Sequence, residues 1–194
     1  MKVGILALQG AFREHREMLD ALGVEAVDVR TPQELSGLDA IFLPGGESTT
    51  MGKLLDTSGL REPLHAALHD GLAAFGTCAG LILLASRVLD GLAGQQPLAV
   101  LDCTVRRNAY GRQIASFEAS LDVEGLPSWH GGPFPGVFIR APGVEQVGSA
   151  VDVLAAHEDR PVLLRQGRVW AATFHPELSG DLRLHERFLQ EVTG

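Results

Sequence analysis

Cysteine is scarce in this sequence. Only Cys78 and Cys103 occur among 194 residues, and they do not form a C-x-x-C pair. The sequence therefore indicates neither a disulfide framework nor a structural zinc site, because both need several cysteines at short spacing. Two unpaired thiols fit a reducing compartment, and we expect a cytoplasmic protein.

Basic residues and long apolar runs are also few. Lys and Arg total 16 against 24 Asp and Glu, which gives a net charge of -8. Nucleic acids and anionic membranes are bound by clustered Lys and Arg, so neither is an expected partner. The apolar run at residues 3–8 is too short for a signal peptide, and no later run reaches the length of a membrane span. These absences predict a soluble protein.

The length and composition predict a single domain over residues 1–194. A hydrophobic content of 45% is enough for a sizeable core. The chain has no internal repeat, low-complexity tract or linker that would divide it.

The first half of the chain predicts an α/β fold. Continuous apolar runs of strand length alternate with amphipathic segments, which is typical of buried parallel strands joined by helices. We expect an open, mostly parallel twisted sheet with helices on both faces, as in flavodoxin-like proteins. The predicted strands are 3–8, 24–29, 39–43 and 72–75, and the predicted helical segments are 12–22, 32–35, 51–55, 60–69 and 81–85.

From about residue 89 the pattern changes to short β-prone segments separated by Gly, Pro and Asp. This spacing predicts hairpins, some of which extend the sheet as antiparallel strands. Residues 124–136, with three prolines and four glycines, are the best loop candidate. The predicted strands are 98–105, 113–119, 137–140, 144–148, 153–157, 161–166 and 168–174, and a last helix is predicted at 181–192.

A cysteine between two glycines follows the predicted strand 72–75. In Gly76-Thr77-Cys78-Ala79-Gly80, a strand, a sharp turn and a helix would raise Cys78 to the edge of the sheet. The N-terminus of the following helix would place backbone N–H groups and a partial positive charge beside the sulfur, which favours a thiolate. Taken alone, the pattern also fits a small buried cysteine in a glycine-rich turn.

Among seven histidines, His175 is the best candidate for a general base. It ends a predicted strand and precedes Pro176-Glu177. Residues two apart in an extended segment project to the same side, so Glu177 could orient His175. A Cys with a distant His and carboxylate is a common arrangement for acyl transfer. The other histidines are predicted to be solvated or at the edge of the core in helices (His15, His65, His69, His185), in the proline-rich loop (His130) or in a turn (His157).

Three loops are expected at the carboxyl edge of the sheet, where open α/β sheets bind ligands. They contain residues 9–10, residues 45–48 and Cys78. The two glycines of the 45–48 loop could present N–H groups to a developing negative charge. The same loop could also be a plain helix cap, with Ser48 or Thr49 capping the next helix.

These motifs resemble known enzymes. Residues 76–80 and 174–177 resemble the triad motifs of class I glutamine amidotransferases. Residues 8–15, 43–50, 107–113 with 116–118, and 138–142 resemble the glutaminase-subunit family of the two-component pyridoxal 5'-phosphate synthase. The resemblance extends over nearly the whole chain.

The resemblance implies roles for specific residues. Cys78 would attack the side-chain amide of L-glutamine, and His175, aligned by Glu177, would shuttle the proton while a glutamyl thioester forms. The remaining implied residues are the oxyanion donors Gly46 and Ala79, the glutamine-binding residues Gly46, Glu47, Ser48, Arg107, Ile139 and Arg140, and Gln9, which would hold the glycine loop in its active form.

The resemblance also implies a partner. The ammonia would pass inside a hetero-oligomeric complex to a (β/α)8 synthase subunit that makes pyridoxal 5'-phosphate. Glutaminase activity would stay weak until the synthase binds, and no cofactor or metal is implied.

Three other interpretations remain open from the sequence. The chain could be the glutaminase of another amidotransferase, such as an imidazole glycerol phosphate or guanylate synthase. It could be a redox-sensing flavodoxin-like domain whose Cys78 is oxidised rather than acylated, or a catalytically inactive regulatory subunit. Cys103 matches no motif and is interpreted as a small buried hydrophobe.

Overall fold

The computed structural model describes residues 1–91, 96–107, 109, 116–126 and 132–194. Within these ranges the strands are β1 (Val3–Leu6), β2 (Ala26–Val29), β3 (Ala40–Leu43), β4 (Ala73–Thr77), β5 (Ala85–Val88), β6 (Leu101–Arg106), β7 (Ser116–Leu121), β8 (Phe134–Ile139), β9 (Gly143–Val147), β10 (Asp152–His157), β11 (Arg160–Gln166) and β12 (Val169–Ala172). The helices are α1 (Phe12–Ala21), α2 (Ser48–Thr57), α3 (Arg61–His69), α4 (Ala79–Leu84) and α5 (Arg183–Thr193), with 3-10 turns at Pro32–Leu35 and Pro176–Leu178.

A seven-stranded sheet forms the centre of the fold, in the order β10-β11-β12-β4-β3-β1-β2. The five strands from β12 to β2 pair in parallel, and β11 and β10 extend the sheet as antiparallel strands. This arrangement confirms the predicted parallel sheet with antiparallel additions. Strands β1, β3, β4 and β12 are buried along their whole length, which explains why their sequences are continuously apolar.

Two hydrophobic cores cover the two faces of the sheet. One core contains apolar residues of α2, α3 and α4, together with β5, β6 and β9, which form a separate three-stranded sheet. The other contains residues of α1 and α5 and of the β7-β8 hairpin. No helix in the described part of the chain is long and apolar enough to cross a membrane.

The structure corrects two predictions in the second half. Strand β5 was not predicted, because its first residue continues the apolar pattern of α4. Residues 134–136, assigned to a loop, begin strand β8, where Pro135 lies opposite Ser120 in a two-stranded sheet that tolerates proline. Residues 113–115 of a predicted strand, residues 127–131 of the predicted loop and His130 lie outside the described residues.

Two glycines let the turn at Cys78 pack closely against the sheet. A Cβ atom on Gly80 would lie 2.0 Å from the Leu43 carbonyl oxygen, and one on Gly76 would lie 2.7 Å from the Gly80 carbonyl carbon. Real Cβ contacts are not this short, so α4 can approach β3 and β4 only because both positions lack a side chain.

We expect Gly80→Ala to lower the free energy of unfolding by about 2 kcal/mol, because the added methyl group meets a rigid backbone carbonyl. Gly52→Ala is the matched control, since a Cβ there has only the Arg61 guanidinium at 3.5 Å. The control should be neutral or stabilising by up to about 1 kcal/mol, because alanine is the better helix former. Urea unfolding of both variants measures the difference, and equal effects would contradict the packing argument.

Candidate active site

Cys78 lies in a sharp turn between β4 and α4. Its backbone has φ 50° and ψ -100°, a left-handed conformation that a non-glycine residue rarely adopts. The turn is held by a hydrogen bond from the Cys78 N–H to the Ala172 carbonyl oxygen at 2.8 Å. The sulfur lies 3.9 Å from the Ile139 carbonyl oxygen, and the residue is 7% exposed. The strand-turn-helix prediction is therefore confirmed, and the thiol faces a nearly closed site.

His175 and Glu177 form a short, buried contact. The His175 Nδ1 atom lies 2.8 Å from Oε1 of Glu177, and the Glu177 side chain has no solvent exposure. The prediction that these two residues lie in an extended segment was wrong. Pro176–Leu178 forms a 3-10 turn with proline at its start. A hydrogen bond from the His175 N–H to the Val137 carbonyl at 2.8 Å fixes the backbone at that point.

His175 connects the sulfur to the carboxylate. Burial alone would lower its pKa, but hydrogen bonds with Cys78 and Glu177 and the charges of both partners raise the pKa of His175 to about 10. The ring therefore carries a proton at neutral pH, and a protonated imidazole beside a cysteine stabilises a thiolate. The His175 ring and the Cys78 side chain both adjoin Gly45, so the arrangement brings a nucleophile and a proton donor close together.

Glu177 keeps its charge although it is buried. Burial raises the pKa of Glu177, but the charge that His15 carries when protonated and the hydrogen bond and charge of His175 outweigh this effect, and the net pKa is lowered. Because burial also lowers the pKa of His15, His175 is the partner that stays charged beside Glu177 at neutral pH. The Thr77 hydroxyl also lies 3.4 Å from Oε1. An ionised Glu177 can hold the His175 ring and stabilise its positive charge.

The glycine loop between β3 and α2 adjoins this cluster. A Cβ atom on Gly45 would lie 2.2 Å from the His175 ring and 3.3 Å from the Cys78 Cβ, so only glycine fits there. The Gly45 carbonyl accepts a hydrogen bond from the Ala11 N–H at 2.9 Å. Because a trans peptide directs its C=O and N–H in opposite directions, the Gly46 N–H points away from Ala11.

The side chain of Gln9 supports the same loop. Its Oε1 atom accepts a hydrogen bond from the Glu47 N–H at 2.9 Å. A Cβ atom on Gly46 would lie 2.5 Å from this oxygen, so the loop and the Gln9 amide are in direct contact.

Glu47 is the N-cap of α2, which corrects the prediction that Ser48 or Thr49 would cap this helix. Its carboxylate accepts hydrogen bonds from the N–H groups of Thr49 and Thr50 at 3.0 and 2.7 Å. Burial raises its pKa, but hydrogen bonds with Thr50 and Thr49 outweigh this and lower the pKa of Glu47 to about 2. Arg107 lies 3.2 Å from the same carboxylate, so these two predicted binding residues are adjacent.

The remaining predicted residues are Ile139, Arg140, Ser48 and Ala79. The Ile139 carbonyl oxygen lies 3.9 Å from the sulfur, and Arg140, with φ 45°, follows it as an exposed residue. Ser48 is 3% exposed in the first turn of α2, and Ala79 begins α4 directly after Cys78. Residues 108 and 110–113 of the predicted 107–113 motif lie outside the described residues.

Similar proteins are known over nearly the whole length of this chain. A model of the SNO glutamine amidotransferase family matches residues 5–194. A relative from Thermus thermophilus, named pyridoxal 5'-phosphate synthase subunit PdxT, is 56% identical over 97% of this chain and 96% of its own length. A relative from Rhodococcus jostii with the same name is 53% identical over 99% of this chain and 97% of its own length.

The chain belongs to the SNO glutamine amidotransferase family. A crystal structure of a glutamine amidotransferase superposes with a TM-score of 0.92 at 52% identity and covers 99% of each chain. The structure of PurLQS from Thermotoga maritima superposes with a TM-score of 0.66 at 18% identity, which supports the shared fold alone. The family prediction from the motifs is thus confirmed.

The site of this family member includes polar residues that the sequence analysis missed. His15 and His185 were predicted to be solvated or at the edge of the core, and this was wrong, because both have 0% exposure. His185 contacts His15, His15 contacts the Thr77 hydroxyl, and the Thr77 hydroxyl contacts Glu177. The sequence did contain a signal for their burial, because both histidines lie on the apolar stripes of α1 and α5.

The second cysteine lies outside this site. Cys103 is 2% exposed in β6, and burial, together with the charge of Asp102, raises its pKa to about 12. Such a thiol is protonated at neutral pH and unreactive, as predicted for a buried hydrophobe. Among the described residues there is no group of three or more side chains that could hold a metal ion.

We expect His175 to titrate near pH 10 and to titrate lower in Cys78→Ala, because the sulfur is one of the partners that raise its pKa. Observation of the ring protons by NMR between pH 5 and about 11 measures this. His185 is an internal reference, since burial and the neighbouring His15 lower its pKa to about 3 and its ring stays neutral. A wild-type midpoint near the ordinary value of about 6.5 would contradict the protonated state of His175 at neutral pH.

Proposed function

We propose that this chain is the glutaminase subunit of pyridoxal 5'-phosphate synthase. In this function it hydrolyses L-glutamine to L-glutamate and supplies the ammonia for vitamin B6 synthesis. The observation that carries the proposal is the proximity of Cys78 to the hydrogen-bonded pair His175–Glu177 in a member of a glutamine amidotransferase family. Relatives with more than half their residues identical are named as subunits of that synthase.

The reaction begins at the sulfur. The Cys78 thiolate adds to the carboxamide carbon of glutamine, and the C–N bond then breaks to leave a glutamyl thioester. His175 donates its proton to the departing nitrogen, which leaves as ammonia. The neutral ring then removes a proton from water, the hydroxide attacks the thioester, and glutamate leaves as the sulfur regains its original state. Glu177 stabilises the imidazolium through both steps.

Backbone N–H groups of Gly46 and Ala79 are the proposed oxyanion donors. Ala79 begins α4 next to the nucleophile, and the Gly46 N–H points away from the Ala11 contact of its own peptide. Donors of this kind are each worth about 3 kcal/mol in the transition state. Glycine at both positions of the loop would let the peptide reorient at low cost when the donor is needed.

The α-amino and α-carboxylate groups of glutamine are the proposed ligands of the residues around α2. Glu47, ionised at neutral pH, would pair with the ammonium group. Arg107 or Arg140 would pair with the carboxylate, since a guanidinium binds a carboxylate through two parallel hydrogen bonds. Ser48 and Ile139 complete the proposed site near the thiol.

The proposed partner is a (β/α)8 synthase subunit, and ammonia would pass to it inside the complex. The loop that needs activation is contacted by Gln9 and by Ala11, which precedes α1. A partner that bound near residues 9–11 could therefore change the orientation of the glycine loop without contacting Cys78, His175 or Glu177.

Other interpretations have less support. A redox sensor does not need the His175–Glu177 pair, and an inactive subunit would not retain all three groups in contact. Relatives named as subunits of the vitamin B6 enzyme favour that pathway over other amidotransferases.

We expect an electrophilic glutamine analogue, such as a chloroketone, to alkylate Cys78 and to leave Cys103 unmodified. Cys78 contacts a protonated His175, whereas the pKa of Cys103 is raised to about 12. Peptide mass spectrometry after labelling identifies the modified residue. Cys78→Ala should lose labelling and at least about 1000-fold in glutaminase activity, while Cys103→Ala keeps both. Glutamate production at the parent rate by Cys78→Ala would reject the mechanism.

We expect glutamate production to rise at least about tenfold when the purified synthase subunit is added, because the glycine loop then presents its N–H to the oxyanion. Gln9→Ala should lose most of this stimulation, since the Gln9 amide holds the Glu47 N–H of that loop. Binding of the variant to the synthase, measured by calorimetry, separates lost docking from lost activation. Equal rates with and without synthase would remove the activation proposal.

A further inference from the structure

Buried polar side chains continue behind the triad into the core. The His185 Nε2 atom lies 3.0 Å from Nδ1 of His15, and Nε2 of His15 lies 3.2 Å from the Thr77 hydroxyl oxygen. The Thr77 hydroxyl lies 3.4 Å from Oε1 of Glu177. Nε2 of His15 is also 3.7 Å from Oε2 of Glu177. His15, His185 and Thr77 have no solvent exposure, so water does not compete for these contacts.

The chemistry of the groups fixes the direction of the hydrogen bonds. An ionised Glu177 can only accept, so the Thr77 hydroxyl donates to it. The Thr77 oxygen then accepts from the Nε2–H of His15, whose Nδ1 is left without a proton and accepts from His185. Every proton in the series therefore points toward the triad carboxylate.

Both histidines must be neutral for this direction to hold. Burial is the main cause that lowers the pKa of His15, and it lowers the pKa of His185 to about 3. The charged or titratable groups that face His15 are Glu177, His175 and His185, and Glu14 is its neighbour on α1. One neutral tautomer of each ring satisfies the His185–His15 and His15–Thr77 contacts and leaves Nδ1 of His185 as a buried acceptor with no hydrogen bond from the described residues.

We propose that His15 is a positioning residue for the triad, which acts with Thr77 to orient the Glu177 carboxylate toward His175, while His185 fixes the tautomer of His15. The catalytic part of this inference rests on the proposed glutaminase function, but the orientation of Glu177 does not. Without the Thr77 donor, which His15 holds in place, the carboxylate keeps only its hydrogen bond with His175 among the side chains described here.

A packing role is the alternative, because the rings of His15 and His185 also contact Phe42, with centroids 5.2 and 5.3 Å away. Three substitutions of His15 separate the two roles. His15→Phe keeps a ring but removes both polar atoms. His15→Asn keeps an acceptor near Nδ1 and loses the donor at Nε2, whereas His15→Gln can place an N–H donor near Nε2.

The first measurement is the NMR signal of the His175 Nδ1–H in the isolated chain, which reports its hydrogen bond to Glu177 without any substrate. We expect His15→Phe and His15→Asn to broaden or lose this signal, and His15→Gln to retain it. Phe188→Leu is the packing control: it removes contacts with Phe42, Phe75 and Trp170 in the same core but no hydrogen bond, and should keep the signal.

The second measurement is steady-state glutaminase activity in the complex with the synthase. His15→Phe and His15→Asn should lower kcat about tenfold with KM unchanged, because His15 does not touch glutamine. The decrease in kcat should be clearly smaller in His15→Gln. Thr77→Val and Thr77→Ser form a second pair at the other end of the contact: valine removes the hydroxyl at nearly equal volume, and serine keeps it.

The outcomes separate the proposals. A lost Nδ1–H signal in His15→Asn and Thr77→Val, with retention in His15→Gln and Thr77→Ser, supports the positioning role. If every His15 and Thr77 variant keeps the Nδ1–H signal, as Phe188→Leu should, the positioning role is rejected. It is also rejected if His15→Asn and His15→Gln give the same signal. If the signals change as expected but the wild-type complex releases no glutamate, the proposed function fails while the orientation of Glu177 by His15 stands.

Discussion

A buried negative charge is the constraint on which the site depends. Glu177 has no exposed side-chain surface, and an unpaired carboxylate in such a place is very unfavourable. The fold compensates with His175 on one side and with Thr77 and His15 on the other. These residues come from β4, α1 and the segment after β12, so the charge can be buried only when the parallel strands and α1 are in place. The fold therefore brings the Glu177 carboxylate and its partners together from three separate elements.

The second constraint is the space around the nucleophile. The peptide at Cys78 has a left-handed conformation, and the neighbouring chain approaches it so closely that Gly45, Gly76 and Gly80 cannot carry a side chain. The strain at the turn is held by the Cys78 N–H bond to Ala172 on the adjacent parallel strand. Glycine thus serves two purposes: it lets α4 approach the sheet, and it leaves room for the His175 ring beside the sulfur.

The sequence predicted those features that depend on local pattern. Continuous apolar runs identified the parallel strands, and the strand-turn-helix around Cys78 follows from its two glycines. It did not predict the burial of His15 and His185, because their contact joins residues 170 positions apart and no local period encodes it. It placed the cap of α2 at Ser48 or Thr49, since these residue types usually cap helices, whereas the longer Glu47 carboxylate bonds two N–H groups and Arg107. The functional roles of the site residues stay predictions.

Helix α1 connects the two parts of the site. Ala11, at its N-terminus, holds the Gly45 carbonyl, and one turn later His15 reaches Thr77 and Glu177. The N–H of His15 bonds to the Ala11 carbonyl at 3.3 Å, so the glycine loop and the triad carboxylate are both held by one helical turn. Residues 9–11 therefore contact the glycine loop directly and lie one helical turn, about 5.4 Å, from the contacts of His15 with Thr77 and Glu177.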